Sequence, residues 1–518
     1  MPTAASWTSR SARSATDRWA EAHRAVADVG HLLRFRAATV RRRGTAAWLL
    51  LGFAALTTAA AVVPAYTPGA GGEGRAFDLL VLLPTALAGF LGLAIVSAVA
   101  SGGGRELVAR DAAAVLPLSP TTDHLGALAL APLNIAWLLQ AWLLLGTTAY
   151  ALGPSGLLAA QVVVLLWLAA ATAVAQVVAW TFEGVRRGHH GIAGVRLLTL
   201  TLLGLALGLQ LADALVSVLD QLPTRRVVLG MIAGFGGTWA ATVAALLVLL
   251  LAAIALGAVP AHIAARRTPR DEARVESGRY VAGRLPGSDL LALVRTDRGS
   301  VWRAVPMRRG IAVLAIGPGA VALLGGLPWE TMTVLPGLVA SGGALLFGVN
   351  AWCLDARGGL WRESLPVAPG TVFAARAWVL TEFLLAASAV TVLLAAVRAG
   401  VPSVAELTAL VCTVVVVTVQ VVAAGMRWSA QRPYAVDLRS ARATPAPPLT
   451  MVGYSTRLAV STTLTGLVFS GLARVPAWEV SVLVAVPFLC WSLTRLVRAH
   501  ARWVDPVDRA RVVMTVAG

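Results

Sequence analysis

The sequence predicts an all-α polytopic membrane protein. About twelve transmembrane helices are expected, as two parallel six-helix repeats with pseudo-two-fold symmetry along the membrane normal. Three observations predict this. First, 58% of the 518 residues are hydrophobic and only 13% are charged, about half the charge of an average soluble chain. Second, apolar runs near the ~20 residues that cross a ~30 Å hydrocarbon core as helix recur along the whole length. Third, one proline-rich turn is written twice, as "AVLPLSPTTD" at 114–123 and "SLPVAPGTVF" at 364–373, each just past an apolar run.

The elements follow in order. Residues 1–45 form a polar N-terminal region. Within it Trp19, Ala22, Val26, Val29 and Leu33 fall at 3-4-3-4 spacing, with Arg18, Glu21, Arg24 and Asp28 off the stripe. That pattern predicts an amphipathic helix lying in the membrane interface. Residues 46–275 hold the first repeat, with runs near 46–63, 78–100, 125–151, 155–182, 197–217 and 228–259. The last is too long for one straight span, and the glycines of its opening "GMIAGFGGTW" disfavour regular helix. Residues 276–310 are a linker with a second interface helix carrying Leu291, Val294 and Val301. Residues 311–518 hold the second repeat, with runs near 311–327, 332–353, 372–397, 403–426, 458–474 and 478–497, and a charged tail.

Four matches in the same order support the duplication. "VLLP" at 81–84 pairs with "TVLP" at 333–336. "LLRFRAATVRRRG" at 32–44 pairs with "LVRTDRGSVWRAVPMRRG" at 293–310. The repeated turn follows, and then the tails "AHIAARRTPRDEAR" at 261–274 and "AHARWVDPVDRAR" at 499–511. Six spans is an even number, so both halves enter from the same side, as parallel repeats.

The chain has no lysine, and its 43 basic residues are all arginine, with a net charge of +18. With both termini in the cytoplasm, all but Arg75, Arg225, Arg226, Arg398 and Arg474 fall on the inner side, as the positive-inside rule requires. Anionic membrane lipid accounts for the charge, and no nucleic-acid partner is called for. Composition and codon-driven arginine usage suggest a high-GC bacterium, so the expected location is the bacterial cytoplasmic membrane.

Without lysine there is no Walker A motif, and no nucleophile elbow, zinc-protease motif or triad is present. The chain is not expected to be an enzyme. Cys353, Cys412 and Cys490 lie in or beside apolar runs and form no disulfide framework or zinc site. No metal site is expected; the His189–His190 pair reads as a solvated loop. Carboxylates inside spans are scarce. Glu382 is the one placed well inside, and Asn134, Trp137 and Gln140 sit at a similar depth of the third span. These four are the candidate substrate path, since polar groups in spans usually face the bundle interior. A helix–helix hydrogen bond or a pairing with Arg376 is the competing reading of Glu382.

The segments "SGGGRELVARDAAAVLPLSPTTDHLGALALAPLNIAWLLQAW" (101–142) and "NAWCLDARGGLWRESLPVAPGTVFAARAWVL" (350–380) resemble ABC-transporter permeases of the type-2 exporter class, in the fused form of high-GC bacteria. The resemblance implies a permease that exports an amphipathic or hydrophobic compound. It implies a separate ABC ATPase subunit, two copies per permease, which holds ATP and Mg, while this chain binds no cofactor. It also implies a short re-entrant hairpin between the fifth and sixth spans. The ATPase-coupling residues would be Arg105, Glu106, Arg110, Asp111, Pro117 and Pro120 in one copy, and Asp355, Arg357, Arg362, Glu363, Pro366 and Pro369 in the other. Most members of that class are six-span proteins that dimerise, and the outer loop 475–478 is too short for a second hairpin. The alternatives are an ion-coupled twelve-helix secondary transporter, which would need Glu382 as its titratable group, and a membrane enzyme or scaffold.

Overall fold

The computed structural model describes residues 15–38, 43–101, 118–133, 135–212, 221–267, 286–346, 348–435 and 446–518, with Ala214, Ser217 and Val218. Among them every regular element is helical. Among the described residues, seven helices are long and apolar enough to cross a membrane, so the chain is a multi-pass, helical membrane protein. The surface agrees. Trp48, Leu197, Leu200, Val248 and Leu251 are all well exposed, and large apolar side chains exposed on that many helices call for hydrocarbon around them.

The chain divides into two compact units. In the first, α1 (Ala15–Ala38), α2 (Arg43–Val62) and α3 (Arg75–Ala100, whose last turn counts with the second unit) precede α4 (Pro120–Leu130). Pro120 occupies the first turn of α4, where its missing N–H costs nothing. The Ser119 hydroxyl caps the helix by accepting from the Thr122 N–H at 3.0 Å.

The expected third and fourth spans correspond to the two halves of α5 (Ile135–Arg186): Gly153, at φ 65° and ψ −169°, is non-helical and separates two helices just ahead of Pro154, and the halves pack side by side, with Gln161 Nε2 donating to the Leu145 carbonyl at 2.9 Å. Gly71 packs on that break and donates its N–H to the Tyr150 carbonyl at 2.8 Å. A Cβ at either glycine would touch the other's backbone at 3.0 Å. An unbroken helix of this length would be more than twice the ~30 Å of a bilayer core; the break at Gly153 divides it into two shorter helices.

Next come α6 (Gly191–Leu211, which counts with the second unit from Thr199 on), α7 (Thr224–Ile232) and α8 (Gly237–Ala265). The expected run 228–259 is thus two helices. The chain turns at Gly234, φ 61°, and α7 packs back on α8 with Gly230 against the Thr242 side chain, leaving no room for a methyl. The Trp239 indole donates to the Ala159 carbonyl of α5 at 2.9 Å.

The second unit opens with α9 (Asp289–Arg303) and α10 (Val305–Gly325). The run 332–353 is broken into α11 (Trp329–Met332), α12 (Leu335–Leu346) and a 3₁₀ stretch, Gly348–Leu354. Then follow α13 (Gly358–Glu363), α14 (Pro369–Ala396), α15 (Val404–Gln431), α16 (Pro448–Leu472), α17 (Trp478–Val504) and α18 (Pro506–Ala517). Ser403 and Glu406 form a reciprocal capping box at the start of α15, which satisfies two otherwise orphaned N–H groups. The core of this unit is built on Trp352, Phe373, Leu380, Val421, Met426 and Trp503.

The two interface helices differ from the expected stripes. On α1, Val26 and Leu33 are exposed, while Ala25 is buried and Glu21 and Asp28 bond to α4. On α9, Leu291 is exposed and the buried face is Leu293, Val294, Asp297 and Val301. In both cases a carboxylate-bearing face has turned to the protein, because polar partners there satisfy it.

Candidate functional site: an ion cluster behind the second proline turn

The second proline turn is fully described, and it rests on buried charge. Asp297 of α9 and Arg376 of α14 are both wholly buried. Arg376 donates from Nε to Asp297 Oδ2 at 2.8 Å and from Nη2 to Oδ1 at 3.1 Å. This is the bidentate fork that makes arginine–carboxylate pairs strong and directional. Arg376 Nη2 also donates to Asp355 Oδ1 at 2.8 Å, and Nη1 donates to the Ala351 carbonyl. Arg362 of α13 completes the group, with Nη2 2.9 Å from Asp297 Oδ1 and 2.9 Å from Asp355 Oδ1.

Two carboxylates and two guanidiniums make the cluster neutral, which is what burial of charge demands. Burial by itself would raise the Asp297 carboxyl; the Arg376 and Arg362 guanidiniums beside it outweigh that and hold it below its usual range. Arg376 also lies 5.3 Å from the Trp352 ring centroid. Trp352 in turn stacks on Trp503 at 3.6 Å and 5°, and the Trp503 indole donates to the Pro369 carbonyl at 3.0 Å. The start of α14 is therefore tied to α17 as well as to α9.

Local sequence explains the placement. Asp297 falls three residues after Val294 and four before Val301, on the buried stripe of its helix. Asp355 and Arg362 flank a tight turn in which Ala356 takes φ 44°, a left-handed conformation that disfavours alanine. That turn reverses the chain into α13. Pro369 then begins α14 in its first turn, and Arg376 follows two turns later on the inward face.

Of the expected coupling residues, Asp355 and Arg362 thus belong to this cluster and do not present their charges outward. Glu363 is half exposed, and its Oε2 accepts from Arg509 Nε of α18 at 2.9 Å. Arg357 and Pro366 are exposed, and so are Leu360, at 47%, and Trp361, at 69%. The short helix α13 therefore has a salt-bridged inner side and an outer side of Arg357, Leu360 and Trp361. Arg105, Glu106, Arg110, Asp111 and Pro117 lie outside the described residues, as does Asn134.

The expected substrate-path residues are differently engaged. The Trp137 indole donates to Thr172 Oγ1 across the Gly153 break, from one half of α5 to the other, at 2.8 Å, and meets the Phe90 ring at 6.2 Å. Gln140 is half buried. Glu382 does not pair with Arg376. Its Oε2 accepts from Arg298 Nε at 2.8 Å and lies 2.7 Å from Arg298 Nη2, with the two side chains 40% and 45% exposed. Arg298 reaches it because α9 packs along α14, bringing a cation to the residue that sequence position alone placed deep in a span.

In the first unit the corresponding place, where α4 begins, is held by weaker chemistry. Glu21 accepts from Thr121 Oγ1 at 3.1 Å and lies 2.9 Å from His262 Nε2. Asp28 accepts from Thr122 Oγ1 at 3.4 Å. His124 is fully buried against Gly257, its Nε2 3.2 Å from the Ile254 carbonyl.

Asp297 was the functional candidate that the sequence reading missed. The signal was present: a carboxylate on the apolar stripe of an amphipathic helix, and an arginine two turns into the span that Pro369 begins. Among the described residues no group of three or more His, Cys, Asp or Glu could hold a metal. No protein-family model matches this chain, and neither does any curated protein or any solved structure.

Proposed function

We propose that this chain is the permease subunit of an ATP-driven exporter in the bacterial cytoplasmic membrane. It moves an amphipathic or hydrophobic compound, and a separate ABC ATPase dimer supplies the energy. The observation that carries the reading is α13: a short helix with an exposed Arg357–Leu360–Trp361 side and an inner side locked by Asp355 and Arg362 to Arg376 and Asp297. A push on the outer side passes through the buried ions to α14 and α9 together, because an ion pair in a low-dielectric site resists separation. The two six-helix repeats of the full twelve-span arrangement would give the permease one such surface per half, matching the two-fold symmetry of an ATPase dimer.

The engagement of Glu382 with Arg298 supports this reading over the ion-coupled transporter, whose coupling group must be free to change protonation. The test uses the native membrane complex. A photo-crosslinking residue at Trp361 should capture a subunit carrying a Walker A motif. Trp361→Ala should leave the permease folded and inserted while ATP hydrolysis no longer responds to substrate. If the crosslink finds no ATPase, and transport by Trp361→Ala is normal, the assignment fails.

A further inference from the structure

A cavity of about 320 Å³ opens where α15 and α17 end and α18 begins, a volume within the roughly 300–1,000 Å³ of small-ligand sites. Gln431, Arg502, Trp503, Asp508 and Arg511 line it. Arg511 is already held, with Nη2 donating to the Ala430 carbonyl at 3.2 Å and lying 3.2 Å from Asp508 Oδ1. Arg502 has no carboxylate partner among the described residues. The lining therefore carries two guanidiniums and one carboxylate, a net single positive charge. The N-terminus of α18 takes no part, since Asp505 already caps its first N–H groups.

We propose that this cavity binds a singly charged phosphodiester, the headgroup of an anionic phospholipid. Two features select that ligand. The net charge matches one negative charge, and guanidiniums are the side chains best suited to phosphate oxygens. The lipid source follows from the outer face of α18, where Val507, at 77% exposure, and Met514, at 64%, flank Arg511 at helical spacing. An exposed apolar face with a guanidinium in its midst suits the membrane surface, where the stem lies along acyl chains and the head meets phosphates. Basic pockets beside spanning helices are a known way to hold such headgroups. The proposal depends on the chain's membrane character and not on the exporter reading, since it invokes no ATPase.

The experiment is native mass spectrometry of the full-length chain from nanodiscs of phosphatidylglycerol or phosphatidylcholine, with inorganic phosphate as a third arm read by thermal shift. The wild type should retain phosphatidylglycerol in preference to phosphatidylcholine. Arg502→Gln should lower that retention about tenfold, the loss expected for one charge-assisted contact. Arg502→Lys should recover part of it. Arg502 is exposed, so neither variant should alter the melting temperature in neutral lipid. Stabilisation by inorganic phosphate that requires Arg502, with no lipid retained, would keep the phosphate chemistry and overturn the lipid source. Lipid retention and phosphate response that are both indifferent to Arg502 would overturn the site itself.

Discussion

The two proline turns begin helices by the same local means and are anchored by different chemistry. Pro120 and Pro369 each occupy the first turn of their helices. Beyond that the regions part. Around α4 the described contacts include a histidine, two hydroxyls and two carboxylates. Around α14 four full charges are buried together. The paired Ala-His tails differ in the same way. His262 bonds to Glu21, whereas His500 packs edge-on against the Phe373 ring at 5.3 Å. A repeated motif thus conserves the signal for where a helix starts, which is local. It does not conserve what the helix rests on, which depends on neighbours far away in sequence.

Four measurements test this difference in anchoring. The largest effect belongs to Arg376→Ala. It leaves Asp297 buried without its main partner, a change that costs about 3–5 kcal/mol. The unit should lose its cooperative unfolding transition in detergent, or the protein should fail to accumulate. A loss well under that range would mean the cluster is wet and the contrast is overstated.

Glu21→Ala should cost less, about 1–2 kcal/mol, for the loss of its contacts to Thr121 and His262 at a half-buried position. If its measured destabilisation equals that of Arg376→Ala, the two anchors are energetically alike and the comparison collapses.

The third test is pH. The native Asp297 carboxyl titrates below its usual value of 3.8. Its contribution is therefore complete above that value and is lost as pH falls through the lower native one. The stability gap between the wild type and Asp297→Asn should stay constant from neutral pH down to about 3.8 and shrink below it. A gap that closes at higher pH would show that Arg376 and Arg362 do not hold the carboxylate ionised.

The smallest effect belongs to Glu363→Gln. Its partner Arg509 is near the surface and also bonds to the Val504 carbonyl. Exposed pairs contribute about 0–1 kcal/mol, so the melting temperature should barely move and the change should vanish in high salt.

Much of the architecture was legible in the sequence. Helix, multiple spans and the absence of a P-loop follow from composition, run length and residue type. Helix starts at Pro120 and Pro369 follow from proline's missing N–H and fixed φ. The break at Gly153–Pro154 falls between two apolar runs, and the glycines of 228–237 mark the interruption at Gly234, although the sequence does not say that α7 packs back on α8 there. The candidate site was half legible. Asp355, Arg362, Glu363 and Arg357 were singled out as one outward-facing charged set, but Asp355 and Arg362 face inward and Glu363 is paired within the chain.

Hydropathy over a span's length, helix initiation, turn propensity and the sign of the net charge all depend on a residue and its near neighbours, and so are set along the chain. The pairing of charges far apart in the chain is set by how the helices pack. Asp297 meets Arg376 across 79 positions and Arg298 meets Glu382 across 84. No local pattern encodes which cation reaches which carboxylate. The physical reason is that an ion in an apolar interior is tolerated only beside its counter-ion, so the packing of α9 along α14 selected the partners that one-dimensional spacing left open.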